Sequence, residues 1–264
     1  MLLIAGSRGM SGAACLAASA ALRGGAGLVT VAIPAGIQAI VAGFEPSYLT
    51  AGLPEDENGR IKATAQKRLT ELLASQDAVA IGPGLGQSSS LMELVAELYD
   101  SVAVPLVVDA DALNLLARRP FLLKRPDNAP ARVLTPHPGE FARLTGLEIA
   151  AIQQDRERHA VEFAQRNNVV LVLKGNGTII TDGKRLSVNQ SGNSGMATGG
   201  TGDVLTGIIA ALLGQQIPAF EAARMGAHIH GIAGDAAAEE FSKPGMIASD
   251  LLKMIGRAWC DMGV

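Results

Sequence analysis

Aromatic residues are scarce in this chain, at 3% of 264 residues, with one tryptophan and two tyrosines. An interior so short of large rings must be filled by Ala, Val, Leu and Ile at close backbone approach, and the 31 glycines permit that approach. Cysteine is nearly absent too. Cys15 and Cys260 stand at opposite ends of the chain, which excludes a disulfide framework, fits a reducing compartment and leaves both thiols to be read as small buried hydrophobes. Lys and Arg form no continuous basic surface, and a net charge of -3 with a pI near 5.8 excludes nucleic acid as an expected partner. No apolar run approaches the ~20 residues that span a bilayer. The longest candidate, Leu28 to Ala42, is interrupted by Thr30, Pro34, Gly36 and Gln38. No membrane association is expected. The opening MLLIAGSRGMSG has no basic segment ahead of its apolar residues, so a signal peptide is not expected and a cytoplasmic protein is. An apolar strand starts at the first residues with nothing before Leu2 to flank it, so the expected N-terminal edge is trimmed or misassigned.

What is present alternates. Short apolar runs at Leu2–Ala5, Leu28–Ile33, Ala78–Ile81, Leu106–Val108, Arg132–Leu134, Val169–Leu173, Thr178–Thr181 and Arg185–Val188 read as strands. Segments of helical period lie at Ser11–Arg23, Arg60–Ser75, Ser88–Tyr99, Gly139–Thr145, Ala151–Asn167, Gly202–Leu213, Ala219–Glu240 and Ile247–Met262. Alternation of this kind, with strands apolar on both faces, predicts a mostly parallel sheet covered by helices on each side. The Asp182-Gly183 step between the last two strands is a hairpin signal, so one edge should be antiparallel. With no linker, repeat or low-complexity tract, residues 1–264 are expected to form a single domain.

The strongest local signal is Gly192-Asn-Ser-Gly-Met-Ala-Thr-Gly-Gly-Thr-Gly-Asp203, which carries five glycines in twelve residues and runs into the apolar helix from Val204 to Leu213. Backbone N–H groups can converge in such a segment, and the helix N-terminus adds partial positive charge. The pattern predicts an anion cradle for a phosphate, formed by Gly199, Gly200, Thr201 and Gly202. Asp203 has two readings, a helix cap or a general base facing a hydroxyl beside the phosphate. Capping alone would not require so many glycines, which makes Asp203 the catalytic candidate.

Lys174-Gly175-Asn176-Gly177-Thr178 follows the apolar run Val169–Leu173, at the strand end where ligands bind in open α/β sheets. Lys174 is expected to neutralise a nucleotide phosphate as a point charge; a solvated turn lysine is the plainer reading. Thr135-Pro136-His137-Pro138-Gly139-Glu140 ends another strand, and its prolines make His137 a fixed candidate for ligand contact. Glu140 is read as a first-turn acid, a supporting group or a magnesium–water ligand. Glycine loops at Gly6–Gly12, Gly24–Gly27 and Gly82–Gly86 adjoin strands, and Gly24–Gly27 reads equally well as a helix C-cap. Asp111 is expected to cap a helix over 112–117, and Asp109 to be a metal or polar anchor. His228 and His230, two apart on a helix, face different ways and make a poor metal pair. His159 is expected on an exposed helix face.

Taken in order, Ala5–Ala13, Gly24–Gly27, Gly82–Gly86, Asp109–Asp111, Thr135–Glu140, Lys174–Thr178 and Asn193–Leu205 closely resemble the ADP/ATP-dependent NAD(P)H-hydrate dehydratase family. The resemblance implies a ribokinase-like three-layer α/β/α sandwich with a mostly parallel central sheet and an antiparallel edge hairpin. It also implies nicotinamide-nucleotide repair, in which ADP or ATP phosphorylates the hydroxyl of the S-epimer of NADHX or NADPHX and loss of phosphate restores the double bond. By carry-over, Ala26, Gly84 or Gly86, His137 and Asp203 would touch the hydrate. Lys174, Gly175, Asn176, Gly177, Thr178 and Gly202 would hold the adenine nucleotide. Mg2+ is implied for charge neutralisation, ADP is preferred over ATP by resemblance, and a homo-oligomer, a tetramer first, is implied. Members carry a His-Lys-Gly-type segment before the first strand, which is absent here, and are often fused to an epimerase domain for which 264 residues leave no room. A vitamin-precursor kinase of the hydroxymethylpyrimidine or hydroxyethylthiazole type is the alternative function on the same fold. A non-catalytic nucleotide sensor is the alternative from another class.

Overall fold

The computed structural model describes residues 1–263. Nine short strands form one sheet: β1 (Leu2–Ile4), β2 (Thr30–Pro34), β3 (Leu49–Leu53), β4 (Val79–Ile81), β5 (Leu106–Val108), β6 (Arg132–Leu134), β7 (Val170–Leu173), β8 (Ile179–Thr181) and β9 (Leu186–Val188). Their spatial order is β3-β2-β1-β4-β5-β6-β7-β8-β9. The strands from β1 to β7 pair in parallel, and β8 and β9 add the expected antiparallel edge.

Eleven helices connect them among the described residues: α1 (Ser11–Arg23), α2 (Gln38–Ala42), α3 (Gln66–Leu73), α4 (Ser89–Ser101), α5 (Ala110–Leu116), α6 (Pro138–Thr145), α7 (Ile149–Gln154), α8 (Arg156–Asn167), α9 (Thr201–Gly214), α10 (Ala219–Phe241) and α11 (Ala248–Asp261). Because strand side chains alternate between faces, the core divides in two. Leu3, Val31, Ile33, Val107 and Val172 join α1, α9, α10 and α11 on one side. Leu2, Ile4, Ile81, Val108 and Leu171 join residues of α3 to α6 and α8 on the other. This is the three-layer arrangement expected.

The scarcity of aromatics has a visible consequence where α1 crosses α9. A Cβ placed on Gly207 would lie 2.1 Å from the Ala17 carbonyl oxygen and 2.9 Å from the Ala20 Cβ, so the two backbones touch there. That contact holds α9 flat against the sheet with its N-terminus at the strands' C-terminal edge.

Five details differ from the expectations. Leu49–Leu53 is a strand that periodicity missed, because an edge strand with a central glycine and an exposed Leu49 carries no apolar alternation. The expected helix 151–167 is two, α7 and α8, divided at Asp155, whose backbone leaves the helical region (φ -150, ψ 64) and whose carboxylate accepts from Arg158 N to start α8. Asp109, not Asp111, occupies the N-cap position of α5. Cys15 is buried as expected, whereas Cys260 is exposed; His159 is half-buried rather than exposed. No described helix is long and apolar enough to cross a membrane.

Candidate active site

The N-terminus of α9 is open. Gly200 occupies its N-cap position with φ 95, a left-handed conformation that glycine adopts without strain, and no side chain caps the helix. Asp203 is therefore not the cap; it lies in the first turn and makes no side-chain hydrogen bond among the described residues. The turn is fastened from behind. Thr201 Oγ1 donates to Met196 O and Thr198 O at 2.9 and 3.0 Å, and His230 Nε2 donates to Thr201 O at 2.8 Å. Burial lowers the His230 pKa to about 4, so the ring is a neutral donor. In front of the turn lies a cavity of about 720 Å³, bounded by Lys174–Thr178 on one side, Asn189–Thr198 on another, and Thr201, Gly202 and His230 at its base. Its lining brings His137 together with every residue expected to hold the nucleotide except Gly199 and Gly200, which adjoin it in the chain.

The charges at this edge form a connected set. Lys174, at the end of β7, donates from Nζ to Asp109 Oδ1 at 2.8 Å, and Thr206 Oγ1 donates to Asp109 Oδ2 at 2.8 Å. Asp109 is thus a polar anchor, with both oxygens engaged. Lys174 is not a lone point charge: it is paired with Asp109 and stands 3.9 Å from Glu140 Oε2. Burial disfavours its charge, but Asp109 and Glu140 more than offset that, and its pKa stands above the ordinary lysine value. A Cβ on Gly202 would come 3.2 Å from that ammonium, so Lys174 rests on the helix turn itself. Half-buried Asp203 feels the same set. Burial first, and then the Asp109 charge, raise its pKa to about 7 against the opposing pull of Lys174.

His137 caps α6. Its Nδ1 accepts from Gly139 N at 3.0 Å, while Glu140 Oε2 accepts from His137 N at 2.8 Å, a reciprocal capping box. Nδ1 therefore carries no proton and Nε2 does, 3.4 Å from Glu140 Oε1. Burial and Lys174 lower the His137 pKa, and burial raises that of Glu140. Among the described residues no group of three His, Cys, Asp or Glu side chains is arranged to hold a metal ion.

Gly84 and Gly86 belong to the loop after β4, at the same sheet edge. Ser7 Oγ donates to Gly84 O at 2.8 Å, and Gly86 N donates to Asp111 Oδ2 at 2.8 Å. Asp111 also contributes to raising the Asp203 pKa, which ties this loop to the acid. Ala26 is not brought to the site. It precedes β2, beside Gly24, whose carbonyl accepts from Gln215 Nε2 just beyond the far end of α9. Twelve residues of helix, at ~1.5 Å each, separate that end from Asp203 by ~18 Å. Gly24 is the C-cap of α1, the plainer reading of that loop.

A family model described as NAD(P)H-hydrate dehydratase matches residues 1–257. The chain belongs to the NAD(P)H-hydrate dehydratase family. A bifunctional NAD(P)H-hydrate repair enzyme Nnr from Moorella thermoacetica is 49% identical over 257 residues, covering 97% of this chain and 48% of that protein. The Escherichia coli enzyme of the same name is 41% identical, covering 97% and 47%. The chain thus spans about half the length of the curated relatives it matches. Among solved structures, the Bacillus subtilis ADP/ATP-dependent NAD(P)H-hydrate dehydratase co-crystallised with ATP and Mg2+ superposes with a TM-score of 0.83 at 31% identity, covering 98% of this chain and 88% of that one. A hydroxyethylthiazole kinase from Pyrococcus horikoshii superposes with a TM-score of 0.62 at 21% identity over 91% of this chain and 92% of its own, a likeness of fold alone. The α/β/α sandwich of this family member is the ribokinase-like one.

Several supporting residues escaped the sequence reading. Thr206 was visible only as a hydroxyl one turn beyond Asp203 in an apolar helix. Asp235 accepts from Gly192 N at 2.8 Å and from Asn193 Nδ2 at 2.9 Å, fixing the glycine-rich loop to α10. His230 makes a poor metal pair with His228, and no local pattern marks it as the donor that steadies the α9 turn.

Proposed function

We propose that this chain is the nucleotide-dependent dehydratase that returns the S-epimer of NADHX or NADPHX to NADH or NADPH, a hydro-lyase of metabolite repair. In this reading the adenine nucleotide occupies the cavity between Lys174–Thr178 and Asn189–Thr198, its terminal phosphate against the N–H groups of Gly199–Gly202. The hydrate lies on the other side of Asp203, toward Gly84, Gly86 and His137. Asp203 accepts the proton of the hydroxyl while the hydroxyl oxygen of the hydrate attacks the terminal phosphoryl group and the nucleotide leaves one phosphate shorter. The C–O bond then breaks, phosphate departs with the bonding pair, and loss of a proton from the adjacent carbon forms the double bond.

The observation that carries this is Asp203 itself: a half-buried carboxyl without a hydrogen-bond partner, beside an uncapped helix turn, with its pKa raised to about 7. A carboxylate whose pKa lies near neutrality is a far better base than an ordinary aspartate. The helix terminus supplies fixed positive potential to the phosphoryl group in transit, and Lys174, its charge shared with Asp109, stands beside it. Mg2+ is part of the reading, since it binds largely through nucleotide phosphates and waters and needs only one or two carboxylates. Glu140, whose Oε1 has only the 3.4 Å contact to His137, fits a water-mediated role there. The ion would neutralise phosphate charge. ADP is the expected donor, with ATP as the other candidate, and assembly into a homo-oligomer is expected, read directly by light scattering.

Incubation of the purified chain with NADHX and ADP, and separately with ATP, tests the proposal by recovery of NADH absorbance. Failure with both nucleotides would refute it. Phosphorylated thiazole or pyrimidine alcohol appearing instead would assign a vitamin-precursor kinase. Turnover unchanged on removing the Asp203 carboxylate would exclude Asp203 as the base, and nucleotide binding without any turnover of NADHX would leave a nucleotide sensor.

A further inference from the structure

Among the described residues, no acid pairs with the charge of Arg156. It opens α8 just past the break at Asp155, while Asp155 and Glu162 pair with Arg158 instead. Burial alone lowers its pKa below the ordinary arginine value, with no carboxylate acting on it. Its guanidinium reaches the loop that leaves β7. Nη1 donates to Asn176 O at 2.5 Å, and Nη2 donates to Leu173 O at 3.2 Å and Lys174 O at 3.4 Å. Between these carbonyls Gly175 turns with φ 142, and a Cβ there would lie 3.0 Å from Nη2. Nε is buried and has no partner.

Three carbonyls from one loop on one cation is an arrangement that fixes backbone shape. A guanidinium suits it because its planar fork holds several donors at set angles, which an ammonium on a flexible stem does not. Carbonyl dipoles compensate the buried charge only in part, so a positive potential remains behind the loop. In front of that loop is the cavity wall formed by Lys174, Gly175, Asn176, Gly177 and Thr178. Lys174 has its own charge largely answered by Asp109.

We propose that Arg156 is a positioning residue for the adenine nucleotide, clamping Lys174–Gly177 from behind in the shape that meets the ligand and supplying the positive potential that the paired Lys174 does not. This rests on the nucleotide-dependent reading above. Arg156 has no part in moving the proton at Asp203, so its loss acts on nucleotide binding and leaves the chemistry of the bound complex intact.

The test compares wild type, Arg156→Met and Arg156→Lys by calorimetric titration with ADP and with ATP, and by steady-state rates with NADHX. For the methionine variant, nucleotide Kd and KM should rise about tenfold or more, as for loss of hydrogen bonds from a charged donor. Its kcat should stay within about threefold and its KM for NADHX should not move, since neither depends on a nucleotide-binding interaction once the nucleotide is saturating. Arg156→Lys keeps the charge but not the fork, and should recover part of the nucleotide affinity, with the recovered part weakening as salt is raised. Unchanged nucleotide affinity in both variants overturns the proposal, as does a fall in which Tm, NADHX KM and nucleotide KM move together, the mark of a merely structural arginine. Should the methionine variant fail to fold, the lysine variant decides alone by the same split. Wild-type protein that binds neither ADP nor ATP would instead remove the nucleotide reading itself, a result distinct from failure of the clamp.

Discussion

Replacing Asp203 by Asn should make the protein more stable and nearly inactive, and the stability change can be worked out with its pH dependence. The Asp203 pKa is about 7 in the folded chain, raised first by burial and then by Asp109, against about 3.9 for an unfolded aspartate. Between these values the folded state binds a proton that the unfolded state has released, so stability falls as pH rises from about 4 to about 7. At about 1.4 kcal/mol per pH unit, ionised Asp203 destabilises the fold above pH 7 by about 4 kcal/mol at most. Interaction of the ionised carboxylate with the α9 N-terminus returns up to about 1 kcal/mol, and relaxation around the site lowers the figure further. Asp203→Asn is therefore expected to gain roughly 2–3 kcal/mol at pH 8 and close to nothing below about pH 3, where the wild-type carboxyl is protonated in both states. Urea unfolding of the two proteins at several pH values measures this directly. A gain independent of pH, or a loss at pH 8, would refute the account of a carboxyl held against its preference. The same variant should bind ADP normally and lose about 10²–10⁴ in kcat, the range for a positioned base.

Other perturbations test neighbouring parts of the structure. The pH profile of kcat at saturating nucleotide should rise through about 7, because Asp203 must be deprotonated to act and its pKa is about 7; a limb near 4 would contradict the burial argument. Asp109→Asn removes a charge that raises that pKa and should move the limb to lower pH, whereas Lys174→Met removes one that lowers it and should move the limb upward. Gly207→Ala forces a Cβ to within 2.1 Å of the Ala17 carbonyl oxygen. It should cost about 2 kcal/mol even after the helix-propensity gain of alanine, seen as a lower urea midpoint.

The layers of the fold were legible because parallel strands buried on both faces leave unbroken apolar runs such as Val170–Leu173, and the helices between them have a different period. The helix break at Asp155 was not. Ile152 and Ala160, on its two sides, are both buried, so the apolar period continues across a stop that only one capping side chain records. At the site, the uncapped glycine-rich start of α9 was legible because helix-terminus chemistry is local in sequence. Its supports were not, since Thr206 meets Asp109 across 97 residues and Asp235 meets Gly192 across 43. Ala26 shows a different limit. Glycine loops adjoin strands at both ends of a parallel sheet, but only those that follow a strand open on the edge where ligands bind. Gly82–Gly86 follows β4, whereas Gly24–Gly27 precedes β2, and composition alone treats the two alike.

One ammonium, that of Lys174, faces the carboxyls of Asp109, Glu140 and Asp203 at the same sheet edge. Asp109 is nearly sealed, at 1% side-chain exposure, with both oxygens bonded, and it answers most of the lysine charge. Burial is the larger reason that Asp203 holds its proton until near neutrality, and the Asp109 charge adds to it against the pull of Lys174. In the proposed reading, the pairing of Asp109 with Lys174 therefore tunes the base. An aspartate with an ordinary pKa would be ionised at all physiological pH but about 10³-fold less basic, and a lysine without Asp109 would pull Asp203 back toward that state. Thr206 Oγ1 bonds the second Asp109 oxygen, so a hydroxyl one turn beyond Asp203 holds in place a charge that raises its pKa.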